Sequence, residues 1–153
     1  THVHSFIENS VWGHDVEDNA YALMRTDDGK VAMLHSSASS WRHRFHLDIT
    51  LSKGSLILSG ILSGSKSYGE ETLTTIRRGK DDMGLPQEET KGYNTDPSWE
   101  LEVAEFADAI HINAPISNGS VEDALKTMKL VYQIYCADEK WRDQWTLETE
   151  NFK

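Results

Sequence analysis

The sequence is short of most features that mark a specialised class. Its single cysteine, Cys136, has no partner for an internal disulfide, and such low cysteine usage predicts a reducing, cytoplasmic compartment. No apolar run approaches the ~20 residues that span a bilayer, and no Lys/Arg-led apolar leader opens the sequence, so neither a membrane nor secretion is expected. Cations are scarce: 15 Lys and Arg against 25 Asp and Glu give a formal charge of −10. Nucleic-acid binding relies on cations that neutralise phosphates, so no nucleic-acid partner is expected. Anionic membrane surfaces are disfavoured on the same ground. There is no Gly-x-Gly-x-x-Gly fingerprint or phosphate loop for a nucleotide, and no Gly-x-Ser-x-Gly elbow for a hydrolase. The seven histidines lack paired Cys or Glu at ligand spacing, and His43-x-x-His46 would face opposite sides of a strand, so no metal site is expected.

What is present is a set of short strands followed by helices. A chain of 153 residues fits a single domain, 1–153. The stretch Ser36–Gly60 organises it. A polar loop leads into Phe45, Leu47, Ile49 and Leu51 alternating with Arg44, His46, Asp48 and Thr50, the period of a strand with one buried face. Ser52-Lys53-Gly54 then turns into a strand at Leu56–Leu58. Upstream, His2–Trp12 reads as an irregular strand. Asn19–Thr26 and Lys30–Ser37 flank Asp27-Asp28-Gly29, a strong hairpin signal because Gly accepts the positive φ of a tight turn. Gly60–Gly69 reads as a turn region or bulged strand, Glu71–Arg78 as the last long strand, and Gly79–Thr95 as a long surface loop.

The period changes after Asp96-Pro97-Ser98, a helix start. Trp99, Val103, Phe106 and Ile110 form one helical stripe, with Trp99 expected as a core anchor. Ser120-Val121-Glu122-Asp123 begins a second helix, which carries Val121, Leu125, Met128, Tyr132 and Tyr135 and reaches about Glu139. An edge strand is predicted at Trp145–Leu147. The expectation is an α+β fold: an open-faced, mainly antiparallel sheet of five or six strands with two helices packed on one face. The other face would meet solvent or a second copy, making a homo-oligomer.

The densest donor cluster is Trp41-Arg42-His43-Arg44. An aromatic face beside guanidinium groups suits a sugar ring or a carboxylate; packing on the sheet edge and ion pairing is the competing reading. Trp41, Arg42, His43 and Tyr68 are the candidate substrate-binding residues. Cys136, late in an amphipathic helix, reads as a small hydrophobe rather than a nucleophile.

Three segments resemble a known family in their order and spacing: DNAYALMRTDDGKVAMLHSSASSWRHRFHLDITLSKGSLILSG, DPSWELEVAEFADAI and SVEDALKTMKLVYQIY. Together, from about Asn19 to Tyr135, they resemble the C-terminal domain of the glucose–fructose oxidoreductase / inositol dehydrogenase (Gfo/Idh/MocA) family. The resemblance implies a parent enzyme with an N-terminal Rossmann domain. It also implies NAD- or NADP-dependent oxidoreduction of a sugar or cyclitol hydroxyl, a substrate site partly shaped by this sheet domain, and oligomerisation through its open face. The family's Gly-rich fingerprint, its Glu-Lys-Pro motif and its Asp-x-x-x-His helix do not occur, so no catalytic residue carries over. The start at Thr-His-Val-His, already in strand pattern, fits a piece of a longer protein, and the chain alone is expected to bind no cofactor and to be inactive. A free-standing α+β interaction module is the alternative.

Overall fold

The computed structural model describes residues 2–79 and 85–148. In chain order the strands are β1 (His2–Glu8), β2 (Asn19–Arg25), β3 (Val31–Ser37), β4 (His46–Leu51), β5 (Gly54–Ser59), β6 (Glu71–Arg77) and β7 (Gln87–Tyr93). The helices are α1 (Ser98–Ile112), α2 (Val121–Ala137) and α3 (Glu139–Trp145). The chain forms two compact units, residues Thr1–Ser40 with Pro115–Lys153, and residues Trp41–Ala114.

In the first unit β1, β2 and β3 form an antiparallel sheet in that order. The predicted hairpin is there: Gly29 has φ 87°, its N–H donates to the Thr26 carbonyl at 3.0 Å, and the Thr26 N–H donates to the Lys30 carbonyl at 2.9 Å. Period-2 alternation sends Ser5, Ile7, Ala20 and Ala22 to one face, where all four are buried. The two alanines let α2 and α3 approach, and Ile134 and Trp141 close over them beside Ile7. Polar contacts fix the helices to β1. Ser5 Oγ donates to the Ile134 carbonyl at 2.5 Å. Asp138, between the helices, accepts the Ile7 N–H at 2.7 Å and the Trp141 N–H at 3.0 Å. The Ser120 hydroxyl caps α2 by accepting the Asp123 N–H. Tyr135 Oη donates to Glu17 Oε1 at 2.8 Å. Burial first, and then the Glu17 carboxylate, push this phenol up to about 12, so it remains a donor throughout the neutral range. Burial likewise raises the Cys136 thiol, as suits a packed side chain rather than a nucleophile.

In the second unit β4–β5–β6–β7 form an antiparallel four-stranded sheet. Thr74 and Thr90 join β6 to β7 through their hydroxyls at 2.8 Å. The Lys91 ammonium sits 4.8 Å from the centroid of the Tyr93 ring. After β7, Asp96 Oδ1 accepts the Ser98 N–H at 3.0 Å at the start of α1, which ends at Asn113 in the left-handed region.

The α+β class holds, but the layout differs from the expectation. Among the described residues there are seven strands in two sheets and three helices, rather than five or six strands in one sheet with two helices on one face. β7 lies inside the predicted loop Gly79–Thr95; Gln87–Tyr93 is almost wholly polar, so no apolar alternation revealed it. Trp145 ends α3 instead of opening a strand. Thr146 turns into the left-handed region, and the Leu147 N–H donates back to the Arg142 carbonyl at 3.0 Å. The rest of the predicted loop, 80–84, together with Thr1 and the end of the tail from 149, lies outside the described residues. Trp99 is no core anchor: it is 77% exposed, because α1 is not packed closely on the strands of its own unit. Leu47 and Leu51 of the predicted buried face of β4 are likewise exposed.

Candidate functional site

The loop before β4 and the loop between β5 and β6 meet at one end of the second sheet. The β4–β5 ladder continues one step past His46 and Ser59, because the Gly60 N–H donates to the Phe45 carbonyl at 3.0 Å. Gly60 has φ 74°, and a Cβ there would overlap the Glu70 carbonyl oxygen, so only glycine lets the two ends of the loop lie so close. Glu71 Oε2 accepts the Leu62 N–H at 2.7 Å and anchors the loop. Within it, the Lys66 N–H donates to the Ser63 carbonyl at 3.0 Å and the Gly69 N–H to the Lys66 carbonyl at 3.3 Å. Lys66 itself takes a left-handed φ of 53°.

This turn carries Ser67 and Tyr68 to His43. His43 Nδ1 and Ser67 Oγ are 2.8 Å apart, and the His43 and Tyr68 rings are 5.0 Å apart, tilted by 44°. A Cβ on Gly69 would stand 3.6 Å from Arg42 Nη2. Ser67 Oγ lies 2.8 Å from Ser65 Oγ, which lies 3.3 Å from Ser63 Oγ. Of the four residues singled out from sequence, the fold therefore brings Arg42, His43 and Tyr68 to one place. Trp41 is fully exposed. Ser65 and Ser67 were not singled out; their signal is the alternation Ser63-Gly64-Ser65-Lys66-Ser67, which sets hydroxyls two residues apart. The cluster can donate hydrogen bonds from a guanidinium, an imidazole and several hydroxyls, against an aromatic face.

A second polar centre, missed from sequence, is structural. Asp18 is buried at 3% exposure and accepts N–H groups from Val11 at 2.6 Å and Trp12 at 3.2 Å, and Asn19 Nδ2 at 2.9 Å. Its own carbonyl accepts the Ala38 N–H at 2.7 Å, so one aspartate ties the β1–β2 loop to the end of β3. Burial raises its carboxyl, but the donors of Val11, Asn19 and Trp12 more than offset this and hold it below its ordinary 3.8. A carboxyl depressed in the folded state stabilises above its unfolded value, and that contribution fades as pH falls through the lower folded value. Asp18→Asn is therefore expected to lower the urea midpoint at pH 7, with the gap to the unmodified chain closing below about pH 4. A gap of the same size at pH 3 and pH 7 would show that the charge of Asp18 does not matter.

No helix among the described residues is long and apolar enough to cross a membrane, and no group of His, Cys, Asp or Glu among them can hold a metal ion. The described residues do not fit a dinucleotide either. Every strand pair among them is antiparallel; α2 and α3 each have one first-turn N–H taken, by Ser120 and Asp138, and at the start of α1, which follows β7, the Asp96 carboxylate accepts the Ser98 N–H. Among the described residues this leaves no open strand–glycine turn–helix cradle for a pyrophosphate.

No curated protein and no solved structure matches the chain. The family model for the GFO/IDH/MocA C-terminal domain matches residues 1–57, which run from β1 into β5 and include Trp41, Arg42 and His43. Over residues 1–57, then, the chain is similar to the GFO/IDH/MocA C-terminal domain.

Proposed function

We propose that this chain is the substrate-site and oligomerisation domain of an NAD- or NADP-dependent oxidoreductase acting on a sugar or cyclitol hydroxyl, and that it is inactive alone. The observation that carries this reading is the family match over residues 1–57, inside which the Arg42–His43 loop lies. The described residues offer no dinucleotide cradle, so the hydride chemistry belongs to a Rossmann domain elsewhere in the parent protein, and this chain contributes one wall of the substrate site. The face of the first sheet away from α2 supports the oligomerisation part. Phe6, Tyr21, Leu23, Val31 and Met33 are exposed there, and Tyr21 and His35 stack across the ladder at 4.4 Å. A second copy is the occupant proposed for this apolar face.

Two measurements test the reading. Calorimetric titration of the 153-residue chain with NAD(H) and NADP(H) is expected to give no binding; clear micromolar affinity would overturn the division of labour. In the parent protein, Arg42→Ala and Trp41→Ala are expected to lower kcat/KM with no change in melting temperature. Loss of a charged donor to substrate corresponds to about 10- to 100-fold. Unchanged kinetics in both variants would make the loop structural.

The exposed sheet face equally suits a free-standing interaction module. The upstream reading frame separates the two: an open frame encoding a Gly-rich fingerprint and Glu-Lys-Pro supports the oxidoreductase, and a start codon immediately before Thr1 supports the module.

A further inference from the structure

Hydrogen-bonding chemistry narrows the class of substrate that the loop cluster can take. A neutral sugar presents hydroxyls that both donate and accept, and a site for it ordinarily mixes donors with carboxylate or amide acceptors. The cluster of Arg42, His43, Ser65, Lys66, Ser67 and Tyr68 contains neither a carboxylate nor an amide side chain. The nearest following carboxylates are Glu70, which is exposed, and Glu71, which accepts the Leu62 N–H. From Trp41 to Gly69 the chain holds four Lys and Arg (Arg42, Arg44, Lys53, Lys66) against one acid, Asp48. That is a local charge of +3 in a protein whose total is −10. Among the described residues neither Arg42 nor Lys66 makes an ion pair, although acids outnumber cations across the chain. The hydroxyl row Ser63–Ser65–Ser67 ends on the His43 ring; each hydroxyl has a single proton, which it can give to an acceptor-only group in place of its neighbour in the row.

We infer that the ligand of this loop carries an ionised acid group, received by the Arg42 guanidinium, the His43 imidazole and the Ser65 and Ser67 hydroxyls. The inference rests on the reading of the loop as a substrate wall, and it narrows the substrate to an acidic sugar or cyclitol rather than a neutral one. A sugar carboxylate and a sugar phosphate share this chemistry. Guanidinium groups pair with both, in two parallel hydrogen bonds.

The test is to titrate the 15N-labelled chain with D-glucuronate, D-glucose 6-phosphate and D-glucose while following backbone amides by NMR. Glucuronate, glucose 6-phosphate or both are expected to shift the amides of residues 42–43 and 65–69 saturably, whereas D-glucose leaves them in place. The tighter of the two anions identifies carboxylate or phosphate. Arg42→Ala and Lys66→Ala, both at exposed positions, are each expected to weaken that binding about tenfold, and raising the salt is expected to weaken it further. If D-glucose shifts the same amides equally well, the acid-group inference falls and the substrate-wall reading stands. If none of the three ligands moves these amides, both fall. Binding by the anions that Arg42→Ala leaves unchanged would overturn the assignment of the donors.

Discussion

Replacing Trp141 by alanine is expected to lower the unfolding free energy of the unit built from β1–β3, α2 and α3 by about 3–5 kcal/mol. Trp141 is only 7% exposed, packs in the cluster of Ile7, Ala20, Ala22 and Ile134, and lies 6.2 Å from the Tyr135 ring and 5.7 Å from the Trp145 ring. The size of the effect follows from its neighbours on β2. Ala20 and Ala22 have no side chain that can swing into the space left behind, so a cavity persists and the cost sits high in the range for aromatic truncation. Against total stabilities of roughly 5–15 kcal/mol for a domain, that is a large share. Urea unfolding followed by far-UV circular dichroism measures it. Trp145→Ala, at a site 38% exposed, is the control and is expected to cost much less. Equal losses would show that the core is not centred on Trp141.

Asp138→Ala is expected to cost about 2–4 kcal/mol by the same measurement. One part is the N-cap of α3, where the carboxylate accepts the Trp141 N–H; such caps contribute about 0.5–2 kcal/mol. The other is the Ile7 N–H, which the same carboxylate accepts at 2.7 Å. Ile7 is 2% exposed, so water cannot replace the lost acceptor, and an unpaired donor of this kind costs about 1–3 kcal/mol. Asp138→Asn separates the two parts. Its amide oxygen keeps one acceptor, while its NH2 group cannot accept from the second N–H. An Asn variant as stable as the unmodified chain would mean that one of these two contacts contributes nothing. Because Asp138 and Trp141 are in contact, the double substitution is expected to cost less than the sum of the two.

How far the fold was legible from sequence depended on whether each element announced itself through apolar period or turn chemistry. β2 and β3 did so through Asp-Asp-Gly and the alternation of Ala20, Ala22 and Met24, and the hairpin formed where expected. The capped start of α2 was equally plain, since Ser120 does accept the Asp123 N–H. β7 was silent. A strand held by a Thr74–Thr90 contact and backbone pairing carries no hydrophobic signature. α3 was hidden for another reason: Asp138 both interrupts α2 and begins the next helix, and an edge strand was read at Trp145–Leu147, although Trp145 sits a helical turn after Trp141. Apolar period also marked α1 correctly as a helix while saying nothing of whether its stripe would be covered. At the candidate site, the types of Arg42, His43 and Tyr68 were legible, but the meeting of loops 24 residues apart was not. That meeting depends on ladder register and on a turn through Lys66, neither of which is written in any single motif.

Gly60 gives the cluster a vulnerability out of proportion to its chemistry. It carries no side chain and touches no ligand, yet the approach of the loop's two ends, and with it the reach of Ser67 to His43, relies on an atom that is not there. A methyl group at Gly60 would have to displace the Glu70 carbonyl, dragging the donors apart while leaving every one of them in the sequence. A lesion at that position would look, in any assay of recognition, like the loss of a binding residue. On the proposed reading, the specificity of this loop is stored partly as empty volume, outside the reach of any search for conspicuous functional groups.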